Sequence, residues 1–208
     1  MKKDTDKRTT RITIIVSILI VAVVGYYCYL VNRPAKEAAE KELTVIDEVL
    51  LRNLARDYPP TVKEVVKYHN EITKCLYNEK CEQEDFENLL RKDRELYDNS
   101  LLLNNEWDTH TINLLAEVTA FQNAKRKLTG AKVGASTDVD YFTKDGYSFA
   151  RIPCNYTVME GANSITTMHI FLLRKDAKGH WKIYGWDLAD NVELEENITE
   201  GQEYGVEK

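Results

Sequence analysis

Cysteine is scarce in this chain: four in 208 residues, at positions 28, 75, 81 and 154, too few for a disulfide scaffold. Five residues separate Cys75 from Cys81, which is neither zinc-knuckle nor redox-motif spacing. With no second cysteine pair nearby, no metal centre is expected. A local disulfide and a pair of free thiols at a helix–helix turn both stay open. An excess of basic charge is also missing. Lys and Arg number 28 against 34 Asp and Glu, a net charge of −6, and phosphate binding needs a basic patch, so nucleic acid is excluded as a partner. No internal repeat and no catalytic or cofactor motif is found, so no cofactor is expected. Of the four histidines, His69, His110 and His180 are isolated and are expected at surfaces or turns.

What the chain does have is a run of 20 uncharged residues, Ile12 to Val31. At 1.5 Å per residue, a helix of that length spans roughly 30 Å, the hydrocarbon thickness of a bilayer. It is mostly Ile, Val and Leu and ends in Tyr26, Tyr27 and Tyr29, rings suited to a membrane–water interface. Ahead of it stand Lys2, Lys3, Lys7, Arg8 and Arg11 against Asp4 and Asp6, while the charges after it are mixed. The positive-inside bias puts residues 1–11 in the cytoplasm, the anchor at 12–31, and the rest outside. A cleaved signal peptide is the rival, but its apolar region is shorter and ends at a small-x-small site. Val23-Val24-Gly25, followed by tyrosines, is a poor one. With the whole chain at −6 and the tail at +3, the remainder carries −9.

Beyond the anchor, Pro34 stops or bends the helix, and residues 32–60 read as a juxtamembrane segment. A helix runs from Ala35 to about Ala55, with Leu43, Ile46, Val49, Leu50 and Leu54 at three- and four-residue steps. Tyr58-Pro59-Pro60 ends it, because proline cannot continue a helix. Thr61 with Glu64 three residues on is a capping box for a second helix reaching Tyr77-Asn78. A third spans about Glu82 to Asp98, with Phe86, Leu89, Leu90 and Tyr97 on one face. Asn99 to Asp108 reads as a loop. A fourth helix spans about Thr109 to Leu128, with Ile112, Leu115, Val118 and Phe121 inward and Gly130 as its stop.

The period then changes. Thr137–Phe142, Tyr147–Met159, Ile165–Leu173 and Trp181–Asp187 read as four strands joined by short turns, Asp145-Gly146 among them. Pro153 fits an edge or a bulge. From Val192 onward there are six glutamates and one lysine, so residues 191–208 read as a disordered acidic tail. The expected class is α+β: a transmembrane helix, then, over 61–190, helices packed on one face of a curved four-stranded antiparallel meander. Val66, Leu89, Leu115, Ile170, Trp181 and Ile183 are expected to be buried together.

This element order, with the final strand Gly179-His180-Trp181-Lys182-Ile183-Tyr184-Gly185-Trp186, resembles the nuclear transport factor 2-like superfamily, also called SnoaL-like or cystatin-like. The resemblance covers about Thr61 to Asp187 and implies a bent sheet wrapped around N-terminal helices into a cone, often with a pocket. Three further segments are Tyr58–Tyr68, Thr137–Phe142 and Phe171–Asp176. On these the whole chain is similar to uncharacterised single-span membrane-anchored proteins of Gram-positive anaerobes, a likeness that implies no activity.

Some members of the superfamily run acid–base chemistry in the cone with Asp, His or Tyr. The eligible residues here are Asp138, Asp140, Tyr141, His169, Tyr184 and Asp187, with Asp140 and His169 the candidate catalytic pair. On strand parity Asp138 and Asp140 share a face opposite Tyr141. The plainer reading puts them on a solvated strand face. Trp181 and Ile183 share one face of the last strand, and Tyr184 and Trp186 lean to the other, where they are the candidate binding residues.

The expectation is a membrane-tethered extracytoplasmic binding or scaffold domain, non-enzymatic, held by residues 12–31. Self-association or a protein partner would use the sheet face through Tyr184 and Trp186. The layout is similar to that of inner-membrane assembly factors of type IV secretion and conjugation machines. The alternative is a SnoaL-like lyase or isomerase acting on a small molecule in the cone. Topology is directly testable: protease added to intact protoplasts should remove everything after the anchor, with Lys2 inside and Lys208 outside. A protected C-terminus would overturn the orientation.

Overall fold

A computed structural model describes residues 43–190 together with Ala22, Val23 and Tyr26, which are helical. The rest of the 12–31 anchor, the cytoplasmic tail, residues 32–42 and the acidic tail 191–208 lie outside the described residues. Among the described residues no helix is long and apolar enough to cross a membrane. The chain divides between Leu43 and Thr44 into two units, and all the helices and strands named next belong to the second.

Five helices come first in the second unit: α1 (Val45–Leu51), α2 (Val62–Asn78), α3 (Gln83–Arg94), α4 (Asn99–Asn104) and α5 (Trp107–Asn123). Thr44 and Asp47 close a reciprocal capping box at the start of α1. Ile46 and Val49 on this helix are buried in the same core as the longer helices. Thr61 caps α2 by accepting from the Glu64 N–H at 3.2 Å, satisfying one of the donors a helix start leaves over. The buried stripe of α2 is Val62, Val65, Val66, His69, Ile72 and Leu76, and that of α3 is Phe86, Leu89, Leu90 and Asp93. Residues 99–104, read as loop from the sequence, form α4, because Asp98 caps it and accepts from the Ser100 N–H at 2.8 Å. Cys75 and Cys81 are free thiols, each pushed up to about 11 by burial.

The expected four-stranded meander is corrected to a five-stranded antiparallel sheet. Its strands are β1 (Arg126–Val133), β2 (Asp140–Lys144), β3 (Tyr147–Glu160), β4 (Asn163–Lys175) and β5 (Trp181–Leu188). β3 is long enough to serve two partners on one edge: β1 pairs with its residues 154–160 and β2 with 147–151, while β4 takes the other edge and β5 follows β4. Pro153 sits at the gap. Its carbonyl accepts from Gly134 at 2.8 Å between the two short strands, so the donor it lacks is missing where the ladder is already broken.

The extra strand comes from the stretch read as the end of the fourth helix. α5 ends at Asn123, and Lys125 turns the chain with φ 54°. Asn78, the last residue of α2, then pairs with Leu128 like a strand, donating to its carbonyl and accepting from its N–H, both at 2.9 Å. Gly130 is therefore not a helix stop but a strand residue, where a side chain would meet Thr157 at 3.2 Å.

One face of the sheet, carrying Ala150, Ile152, Cys154, Phe171, Leu173, Trp181 and Ile183, packs on α2 and its neighbours. The outer edge of β5 is closed by residues 96–98: Asp98 N–H donates to the Ile183 carbonyl and Ile183 N–H to Leu96, both at 2.8 Å. Two members of the expected core do not belong to it. Leu115 is 49% exposed. Ile170, paired with Pro153, faces outward and is only half-buried. Strand parity puts the core on Phe171 and Leu173 instead. Truncating Phe171 to Ala should therefore cost about 3–5 kcal/mol in urea unfolding, and Leu115→Ala no more than about 0.5 kcal/mol. The reverse order would refute this packing.

Candidate functional site

Where the core stops, the inner sheet face and the helices enclose an open pocket of about 610 Å³. α2 contributes His69, Thr73, Leu76 and Tyr77; α5 contributes Thr109, His110, Asn113, Leu114, Glu117 and Phe121. Asp93, Tyr97, Asn104 and Asn105 close one side, and the sheet supplies Leu128, Tyr156, Val158, Thr167, His169 and Trp186. α5 thus turns a mixed polar face inward, with Ile112, expected inward, 67% exposed; of the four expected inward residues only Val118 is buried.

The centre of the wall is a buried relay across two helices. His69 Nδ1 lies 2.7 Å from Asp93 Oδ1, and Tyr97 Oη donates to Asp93 Oδ2 at 2.6 Å. Burial beside Asp93 holds the Tyr97 phenol far above its ordinary value, so it stays protonated and donates. Asp93 is 3% exposed and accepts from both neighbours, which puts a proton on His69 Nδ1 and directs Nε2 away from it. Two other tyrosines are built alike. Tyr77 donates to Glu117 and Tyr156 to Asn70 Oδ1, both at 2.5 Å, and burial raises both phenols. Asn70 in turn donates to Cys154 Sγ at 3.3 Å.

The other two histidines of the pocket are held neutral. Arg94 donates to the Asn105 carbonyl at 2.7 Å and lies 2.9 Å from His110 Nδ1; burial, then Arg94, lowers the His110 pKa. Burial lowers that of His169, opposed by Asp187. His169 stands edge-on to Tyr156 at 5.2 Å, its Nε2 lies 3.3 Å from Thr167 Oγ1, and its Nδ1 is buried without a partner among the described residues.

The placement of Trp186 corrects the parity reading. Ile183 pairs with Leu173 and Trp186 with Phe171, three residues apart on β5 but two on β4. The extra residue is a bulge, which moves Trp186 onto the same face as Ile183. There its indole stacks on Phe171 at 5.6 Å and meets His69 at 5.3 Å and Tyr97 at 5.9 Å. Tyr184 stays on the outer face, 5.7 Å from Phe149 and under the Arg174 guanidinium, which holds Asp98 through two hydrogen bonds.

Asp140 and His169 do not converge. Asp140 pairs with Arg151, three residues from the Cys154 that pairs with His169, so the two lie on opposite faces. Asp138 is not on a strand but ends a short 3-10 turn, Ser136–Asp138, and accepts from the Ala135 N–H at 2.7 Å. Tyr141 is 59% exposed beside Trp181, and His180 stacks on Tyr58 at 4.4 Å. His69 and His110, expected at surfaces or turns, are wall residues instead. Among the described residues no three His, Cys, Asp or Glu side chains group as a metal site. The relay itself carried a sequence signal: His69 and Asp93 each interrupt the apolar stripe of a helix.

The lowered pKa values of His110 and His169 fix a sign. The native state binds fewer protons than the unfolded chain, so this contribution is whole above the ordinary value of 6.5 and is lost as pH falls below it, through the lowered native values. Unfolding free energy should drop more between pH ~7.5 and ~5 for the native protein than for His169→Gln. Parallel curves would remove His169 as a contributor.

No curated protein matches the chain. The family model described as a domain of unknown function, DUF6715, matches residues 1–186, and the chain belongs to that family.

Proposed function

We propose that this chain is a membrane-tethered extracytoplasmic domain that binds a small molecule in the pocket between α5 and the inner sheet face. The observation that carries the reading is the pocket itself: about 610 Å³, with an aromatic and aliphatic sheet side facing a polar helix side from α2 and α5. The uncharged run at Ile12–Val31 and the basic tail before it support the tether and its orientation. The likeness to the nuclear transport factor 2-like superfamily, whose cones often hold a pocket, is in keeping with it. Self-association through the outer sheet face is the weaker reading, since with Trp186 turned inward it would rest on Tyr184.

One observation favours the alternative, a lyase or isomerase. His69 is oriented by Asp93, and among the described residues its Nε2 has no hydrogen-bond partner, the geometry of a positioned general base. Saturation-transfer NMR of the full-length chain in micelles, with a mixture of small aromatic compounds, tests both. Binding should be seen with the native protein and weakened in Thr167→Trp, which narrows the pocket beside Tyr156 and Trp186; equal transfer to both would refute the pocket. A compound consumed by the native protein but not by His69→Gln would turn the reading from binding to catalysis.

A further inference from the structure

We infer that the pocket takes an organic monocation, an ammonium group carried on an apolar body. The inference rests on the pocket reading above and adds the charge and class of its occupant. Among the described residues no lysine or arginine lines the pocket, although the chain has 28 of them. Two carboxylates do, Asp93 and Glu117. Each accepts a hydrogen bond from a tyrosine whose phenol burial holds protonated, Tyr97 and Tyr77; Asp93 is matched by His69 as well, which leaves Glu117, among the described residues, as the wall carboxylate with no basic partner.

The remaining wall is rich in aromatic rings, with asparagines, threonines and aliphatic side chains between them. Trp186, Tyr97, Tyr77, Tyr156 and Phe121 line it, and Trp186 is 41% exposed while Phe171 backs its indole at 24° from parallel. Ring faces carry partial negative charge and attract a cation, Trp most strongly. His110 and His169 are held neutral, so neither supplies the positive charge an anion would need. The nearby cation, Arg94, is engaged by the Asn105 carbonyl and His110 and does not itself line the pocket. Glu117, unlike the buried Asp93, is exposed, so a bound ammonium can reach its carboxylate without a second desolvation. A carboxylate or phosphate ligand would meet the like charge of Glu117 and no lysine or arginine of the wall.

Three probes of one shape separate the charge from the body: phenethylamine, phenethyl alcohol and phenylacetate. They are titrated into the full-length chain in neutral-detergent micelles and followed by isothermal titration calorimetry, with Thr167→Trp subtracting partition into the micelle. The amine should bind about tenfold more tightly than the alcohol, with phenylacetate weaker than both. Glu117→Gln should remove most of the amine's advantage over the alcohol, and Trp186→Leu should weaken the amine more than the alcohol. Equal affinity for amine and alcohol, or preference for phenylacetate, would overturn the cation and leave the pocket standing. Binding of none of the three above the Thr167→Trp background would overturn the pocket reading together with it.

Discussion

A carboxylate sealed inside the protein governs much of this structure. Asp93 is 3% exposed, and an unmatched charge there would cost several kcal/mol. It is matched by His69 from α2 and Tyr97 from just beyond α3, at 2.7 and 2.6 Å. Those bonds set how α2 and α3 are rotated against each other, because both partners must point at one group. That rotation places Val62, Val65, Val66 and Ile72 in the core and leaves His69 at its upper limit, under Trp186. Removing the carboxylate would strand the Tyr97 hydroxyl and the His69 Nδ1 proton together, so the relay is a unit and not two separate bonds.

The sheet makes its own contribution by being unequal in length. β3 and β4 run past the helical layer, and along them burial falls from Ile152 and Phe171 to Tyr156, Thr167 and finally Ile165, which is 63% exposed. A wall that outlasts its packing partner leaves a recess, and α5 crosses that recess. Two irregularities shape it. The gap between β1 and β2 falls at Pro153, the one residue of β3 that cannot donate, so the ladder with β4 continues unbroken on the other edge. The bulge in β5 turns Trp186 from the outer face to the inner. Without that single extra residue the pocket would lose its largest ring.

Much of this was legible in the amino-acid order, and the misses have physical causes. The Thr61 cap, the end of α2 at Asn78, the start of α3, the approximate extents of β3 and β4 and the core face of the first half of β5 follow from capping chemistry and period alone, while Ile170, expected in the core, lies on the other face of β4. β1 does not, because Arg126 to Leu128 has no alternation; its strand character comes from Asn78, a tertiary partner that no local window contains. Parity counting failed at Trp186 for a similar reason, since a bulge shifts every later residue by one and only the partner strand reveals it. The relay was visible in part. His69 and Asp93 stand on the apolar stripes of neighbouring helices, and a titratable residue on such a stripe needs a partner; two of them on adjacent helices are each other's simplest solution.

The inverted face of α5 ties these points together. Its sequence offers Ile112, Leu115, Val118 and Phe121 as an apolar stripe, and a helix over a solid core would have buried it. Here only Val118 is buried, while Thr109, His110, Asn113 and Glu117 look inward. The reason is that the space beneath is already bounded by polar groups that must stay satisfied: the Asp93 relay, the Tyr77 hydroxyl and His169. Glu117 answers Tyr77 at 2.5 Å, and His110 answers Arg94 at 2.9 Å. An apolar face laid on those groups would have left them unpaired, at roughly 1–3 kcal/mol each. The helix therefore gives up burial of Ile112 and Leu115, and what it covers is a chemically equipped recess instead of a hydrophobic seal.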